Sequence, residues 1–327
     1  MLRFFFILFF ILFTTSSFSS SNEDFNSWLI KFKKDAIKKG ISEKTLNSTL
    51  KNVKYLENVI KYDRKQPEFF EDTKTYIGKR ATRSRVKKAK KIFKENESLF
   101  NEIEKKFNVE KEILLALWAI ETNFGKHVGK MDILSCLATL SFDKRRSDFF
   151  TEQLLILLKL IDKKLIDPNT LYGSWAGAFG NFQFMPSTIK NYAIDYDNNK
   201  KIELKKSLKD SAASAANYIN RIGWKYKSHC FKEVSIKHLI PKKYKNISAR
   251  NIKNHLSLKK WQKLKVLNQE DFDSNNNQKA ALIMPDGDDD SPAYLVFSNY
   301  EKILKWNRSL RFALTVCTLA EMIKNEI

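Results

Sequence analysis

The stretch "ALWAIETNFG", residues 116–125, constrains this chain more than any other. It is too apolar for a solvent-facing helix, yet it delivers a carboxylate, Glu121, just before Gly125. On a helix Leu114, Leu117 and Trp118 share a face with Glu121. Burying a charged Glu there is expensive unless it is paired or holds a proton. Gly125 marks the expected helix end, so Glu121 also lies near the negative end of the helix dipole. Desolvation and dipole both oppose ionisation, as a general acid working at neutral pH requires. On these residues alone, an ion pair with one of the many cations is the competing reading.

The rest of the chain limits the setting. Arg3, then the apolar run "FFFILFFILF" at 4–13 and the small polar "TTSSFSSSN", read as a signal peptide over residues 1–19, cleaved after Ser19. A bilayer span needs about 20 apolar residues, so this segment does not predict a stable membrane anchor. No Cys follows the run, and the mature protein is expected to be periplasmic, with a monomer favoured. Lys and Arg number 59 against 37 Asp and Glu, a formal charge of +22 that suits polyanionic partners. No zinc-finger spacing or RNA-binding aromatic motif accompanies that charge, and export argues against a nucleic-acid partner. Three cysteines do not make a disulfide framework. Cys136 and Cys317 sit in apolar runs and read as core fillers, and the four His lack metal-ligand spacing.

Helical patterns cover 24–39, 43–52, 82–106, 110–124 and 147–164. Residues 173–180, "GSWAGAFG", hold three of the nine glycines and read as a loop. Pro186 suits the first turn of a following helix, and "SAASAANYINRIGW", 211–224, reads as an Ala-rich helix stopped near Gly223. Beyond Trp224, short β-branched runs and turn-rich separators predict a small antiparallel β subdomain with some helix around 247–262. A closing helix from Ser309, as N-cap, to Lys324 buries Phe312, Val316, Leu319 and Ile323. The predicted class is α+β, mainly α, with an α region at 20–108, a core at 109–224, a β-containing part at 225–298 and a helical segment at 299–327.

The glycine loop adds chemistry. Ser174, Asn181 and Gln183 supply neutral hydrogen-bonding groups, interleaved with Trp175, Phe179, Phe182 and Phe184. Aromatic faces beside amides and hydroxyls suit N-acetylated sugar rings, whereas a phosphate loop would place Lys and Ser or Thr after its last glycine. A structural turn with core aromatics is the alternative.

Together, "ALWAIETNFGKHVGKMDILSCLATLSFDKRRSDFF" and "GSWAGAFGNFQFMPSTIKNYAIDYDNNKKIEL" resemble the lytic murein transglycosylase B family. So do "DRKQPEF" at 63–69, "SAASAANYINRIGW" and "AYLVFSNYEKILKWNRS" at 293–309. The resemblance implies a lysozyme-like helical core acting on peptidoglycan, with Glu121 as the single catalytic carboxylate. In that family the acid protonates the oxygen between N-acetylmuramic acid and N-acetylglucosamine. It then serves as base for the muramoyl C6 hydroxyl, closing a 1,6-anhydro ring. An internal hydroxyl at high effective concentration replaces the water of a hydrolase, so no second carboxylate is needed. The resemblance also makes Ser174 a partner of Glu121, Gln183 a sugar ligand, and Arg145 and Arg146 a pair facing the glycan and stem peptides. Tyr76, Tyr192, Tyr218 and Asn299 are expected to line the cleft.

No cofactor is required by that chemistry. The family's EF-hand-like calcium loop corresponds to "DYDNNKKIELKKSLKD", 195–210, with Asp195, Asp197, Asn199 and Asp210 as ligand candidates. Lys200 replaces the turn glycine and Lys206 the twelfth-position carboxylate, and both changes weaken a calcium site. Three other readings compete with a lytic transglycosylase: a hydrolytic muramidase, a non-catalytic peptidoglycan binder and a basic nucleic-acid binder.

Overall fold

The computed structural model describes residues 16–64, 71–236, 238–268, 278–288 and 290–327, and its core is organised by the apolar helix that carries Glu121. Nearly all of the expected signal peptide lies outside these residues, as does the end of "DRKQPEF". The N-terminal part runs through α1 (Ser16–Lys38), α2 (Glu43–Thr49), α3 (Glu57–Arg64), α4 (Thr73–Arg80), α5 (Arg83–Glu95) and α6 (Glu97–Phe107). The 82–106 pattern is thus two helices, broken at Asn96, whose side-chain amide donates back to Ile92 O at 2.9 Å.

Helix α7 (Lys111–Thr122) is buried on every side from Ile113 to Ala119. A helix apolar all round belongs at the centre of a core, and α5, α6, a later helix α11 (Leu208–Arg221) and the closing helix α14 (Leu310–Lys324) pack around it. After α7 come a two-residue strand β1 (Met131–Asp132), α8 (Ile133–Phe142) and α9 (Ser147–Asp162). Asp132 caps α8 by accepting from Ser135 N. Strand β1 pairs antiparallel with β2 (Tyr172–Gly173), which leads into the glycine loop. Pro186 opens α10 (Pro186–Tyr192), as its fixed φ allows.

A second sheet has the order β3 (Phe231–Val234), β6 (Ala293–Val296), β5 (Lys279–Ile283), β4 (Leu256–Ser257), antiparallel throughout. Side chains alternate across it. Ala281, Ile283, Tyr294 and Val296 join the main core. Ala280, Leu282, Ala293, Leu295 and Phe297 face a smaller core with Trp261 of α12 (Leu258–Lys263). Burial on both faces explains why "KAALIMP" and "AYLVFSN" are continuous apolar runs. Helix in the 247–262 window is confined to α12, and Trp261 buries its indole by donating to Ala280 O at 2.8 Å. Then α13 (Ser298–Trp306) leads to α14, which is capped by Ser309 and buries Phe312, Val316, Leu319 and Ile323.

The cysteines depart from expectation. Cys230 and Cys317 form a disulfide across 87 residues, their Cα atoms 6.2 Å apart. The bridge ties the entry of β3 to the middle of α14. Cys136 alone is free; it is buried, and desolvation, then Asp132, push its thiol up to about 12.

Candidate active site

Helix α7 ends two residues before Gly125, at Asn123, which adopts the left-handed conformation. Glu121 therefore sits in the last turn, half-buried rather than enclosed. Its Oε1 accepts from Trp306 Nε1 at 2.9 Å, across 185 residues. In that contact the donor is a neutral indole from the end of α13, where the competing reading would place a cation.

Trp306 stands in an aromatic column. Tyr192 stacks on Tyr218 at 4.4 Å, and Tyr218 stacks on Trp306 at 5.0 Å. Phe184 meets Trp306 edge-on at 5.3 Å, and Phe182 does so at 6.3 Å. The Tyr218 hydroxyl donates to Lys305 O at 2.9 Å, while burial, then Tyr192, push its phenol up to about 12. Three elements, α10, α11 and α13, thus hold the indole against Glu121. Sequence reasoning missed Trp306 as a site residue. Its one signal was a large aromatic within a motif of the resemblance.

The glycine loop is stitched to the end of α7. Thr122 Oγ1 donates to Asn181 O at 2.8 Å and accepts from Gly125 N at 3.0 Å. Gln183 Nε2 donates to Val128 O at 3.1 Å and to Gly180 O at 3.0 Å, bridging the 125–130 turn to the loop. Gly129 has φ +86°, and a β-carbon there would stand 2.1 Å from Gly173 O, so only glycine permits the close approach. Ser174 Oγ accepts from Ala178 N at 3.0 Å. The hydroxyl oxygen thus closes its own turn. Phe179, Phe182 and Phe184 are core, which leaves Trp175 as the half-exposed ring of the four.

The other candidates spread further. Arg145 and Arg146 converge on one carboxylate rather than presenting free ends. Arg145 Nε donates to Asp63 Oδ2 at 2.7 Å, and Arg146 pairs with Asp63 Oδ1. Asp63 is 2% exposed, so each arginine is held from below while part of its side chain reaches solvent. Arg146 also lies 4.8 Å over the Phe150 ring. Tyr76 is buried under Arg80, whose guanidinium carbon lies 3.7 Å from the ring centroid. Asn299 corrects the expectation most clearly. It is fully buried, accepts from Lys225 N and donates to Lys225 O and Ser228 O, so it clamps the 225–228 segment and lines no cleft.

The 195–210 loop does gather its acids. Single oxygens of Asp195, Asp197 and Asp210 lie within 4.8 Å of one another. Lys200 takes the left-handed turn at φ +68° where the calcium loop favours glycine. Asp195 accepts from Asn199 N at 3.0 Å and Lys200 N at 2.7 Å. Buried Asp210 accepts from Tyr196 N at 2.8 Å and Glu203 N at 3.0 Å, and desolvation raises its pKa. Asn199 Oδ1 turns to Lys201 N. Three carboxylates fall short of the roughly six to eight oxygens that calcium takes, and Lys206 leaves the twelfth position without one. The donor set does not complete a calcium site from its side chains.

The transglycosylase SLT domain model matches residues 24–321. Membrane-bound lytic murein transglycosylase B of Escherichia coli K12 is 36% identical over 150 residues, 46% of this chain and 41% of the relative's own length. SltB3 from Pseudomonas aeruginosa, solved with NAG-NAM-pentapeptide, superposes with a TM-score of 0.83 at 31% identity, covering 92% of this chain and 79% of that one. Slt35 of E. coli, solved with calcium, gives 0.75 at 26% identity, covering 91% and 92%. A match along almost the whole described chain, with the glutamate on its central helix, leads to one conclusion: the protein belongs to the transglycosylase SLT domain family.

Proposed function

We propose that the protein is an exported lytic transglycosylase that cleaves the β-1,4 bond from N-acetylmuramic acid to N-acetylglucosamine, leaving 1,6-anhydromuramoyl ends. One observation carries the reading. Glu121 projects from the last turn of a buried helix against a neutral indole donor, in a family whose Pseudomonas relative holds a NAG-NAM-pentapeptide. Protonated, Glu121 gives its proton to the glycosidic oxygen as the C1–O bond breaks. Ionised, it takes the proton of the muramoyl C6 hydroxyl as that oxygen closes on C1. The proton count balances without water, and the carboxyl ends as it began. An N–H donor at Oε1 suits the ionised half of this cycle, and Gln183 and Trp175 supply an amide and an aromatic face near the glycine loop for acetamido sugars.

The Cys230–Cys317 bridge supports an oxidising compartment, hence the periplasm. Among the described residues no helix is long and apolar enough to cross a membrane. The partner in this reading is the glycan strand, the protein acts as a monomer, and no cofactor is required. Calcium accompanies the E. coli Slt35 structure, but the lysines at 200 and 206 make this loop independent of it. Mass spectrometry of sacculi digested by wild type and Glu121→Gln tests the proposal. Anhydro products from wild type and none from the variant support it. Products one water heavier, with reducing ends, would make the enzyme a hydrolase, and equal behaviour of the two proteins would leave only a binder.

A further inference from the structure

The turn that follows Glu121 is unusual. Asn123, Phe124 and Gly125 have φ of 50°, 60° and 79°. A left-handed residue with a β-carbon is disfavoured because that carbon crowds the following carbonyl oxygen, and Phe124 carries no polar side chain to offset it. Such a run persists only where its surroundings overdetermine it. From the inner side, Phe124 N bonds Trp118 O at 3.2 Å, His127 N bonds Thr122 O at 2.8 Å, and the Phe124 ring meets Trp118 edge-on at 5.5 Å.

From the outer side a different helix reaches in. Lys88, on α5, donates from Nζ to Asn123 O at 2.9 Å, and the same ammonium lies 5.1 Å from the Phe124 ring centroid. One cation therefore grips two consecutive left-handed residues. It also stands at the carboxyl end of α7, where positive charge is favourable. Lys88 is half-buried, and its hydrogen bond goes to the turn rather than to a carboxylate.

We propose that Lys88 is a positioning residue for Glu121: by holding Asn123 O and the face of Phe124, it fixes the left-handed turn and so the direction in which α7 presents its carboxylate. Trp306 holds the acid itself, whereas Lys88 holds the backbone two residues on. The inference rests on reading Glu121 as the catalytic acid, and deepens it. Displacements of about 1 Å can reduce turnover about a hundredfold, so the turn is a sensitive place to intervene.

The test compares Lys88→Met, Lys88→Gln and Lys88→Arg in the full protein. Lys88→Met should lower turnover of soluble glycan strands tenfold to a hundredfold. In a Glu121→Gln background the same change should leave glycan affinity within twofold, a split that general destabilisation would not produce. Lys88→Arg, which keeps charge and donors, should recover much of the loss, with Lys88→Gln between. Amide exchange at Phe124 and Gly125 should quicken at least tenfold in Lys88→Met while α11 stays protected. Should Lys88→Met fail to fold, the exchange and turnover of Lys88→Gln decide. Wild-type turnover together with wild-type exchange in the variants would overturn the proposal. Faster exchange with no anhydro product even from wild type would count against the enzymatic reading and leave the hold of Lys88 on the turn standing.

Discussion

Removing the Cys230–Cys317 bridge offers a quantitative test of the architecture. The bonded cysteines are 87 residues apart. Closing a loop of that length removes about 15 cal/mol/K from the unfolded chain, or about 4.6 kcal/mol at 25 °C. Native contacts beside the bridge survive its loss, because Phe297 N still bonds Cys230 O at 2.8 Å and Asn299 still clamps Lys225 and Ser228. The effect should therefore fall mainly on the unfolded state. Measured bridges typically deliver about 2–4 kcal/mol, and with an unfolding entropy of about 2.1 cal/mol/K per residue over about 300 residues the melting temperature should drop by about 3–6 °C. The assay is urea and thermal unfolding with and without reductant, beside a Cys230→Ser/Cys317→Ala double variant. Thiol titration in denaturant should give one group before reduction and three after. The closed loop contains the β subdomain and Trp306, so glycan cleavage should fail at a lower temperature in the reduced protein. Three thiols in the untreated protein, or a reduced protein unfolding at the oxidised midpoint, would refute the reasoning.

Three further outcomes are expected. Trp306→Phe keeps a ring between Tyr218 and Phe184 but deletes the donor to Glu121. Hydrogen bonds to charged groups contribute about 1.5–3 kcal/mol, so turnover should fall about tenfold to a hundredfold with the melting temperature nearly kept, as steady-state kinetics and calorimetry will show. Asp286 joins Thr73 to Arg311: burial pushes its pKa up, but the Thr73 hydroxyl and N–H and the Arg311 guanidinium outweigh it, and the net shift is downward. With a lowered folded-state pKa, its stabilisation is complete above the unfolded carboxylate value and lost as pH falls through the folded one. Asp286→Asn should cost about 1.5–3 kcal/mol near neutrality, as for lost hydrogen bonds to a charged group, and flatten the acid limb of a denaturation curve below about pH 5. Finally, EDTA should leave both activity and unfolding midpoint unchanged, and a calcium-dependent rise in either would show that backbone carbonyls and water complete the Asp195–Asp197–Asp210 set.

Elements with local signatures were legible in the sequence. Ser309 announces α14 as a cap, Pro186 opens α10, and the apolar run to Ile120 places α7 in the interior. Elements lacking such signals were not. Helix α8 is buried from Ile133 to Ser141, so its composition shows no face, and the break at Asn96 interrupts a run whose helical spacing barely changes. Glu121 could be read because a carboxylate in an apolar helix is locally anomalous. Its partner could not, because the Trp306 contact depends on how α13 returns to α7. The same reason hid the disulfide and turned Arg145 and Arg146 toward Asp63. Pairings set by tertiary approach leave little trace in local pattern.

The 185-residue separation of Glu121 from its indole donor has a consequence for biogenesis. Synthesis from the N-terminus delivers the acid long before the indole that bonds it, and contacts so distant in sequence form slowly. Until residues 306–324 arrive and dock, α7 lacks both its tryptophan contact and the helix that covers its flank. On the proposed function, the acid meets its indole donor only once the end of the chain has docked, so the site is among the last parts of the fold to be completed.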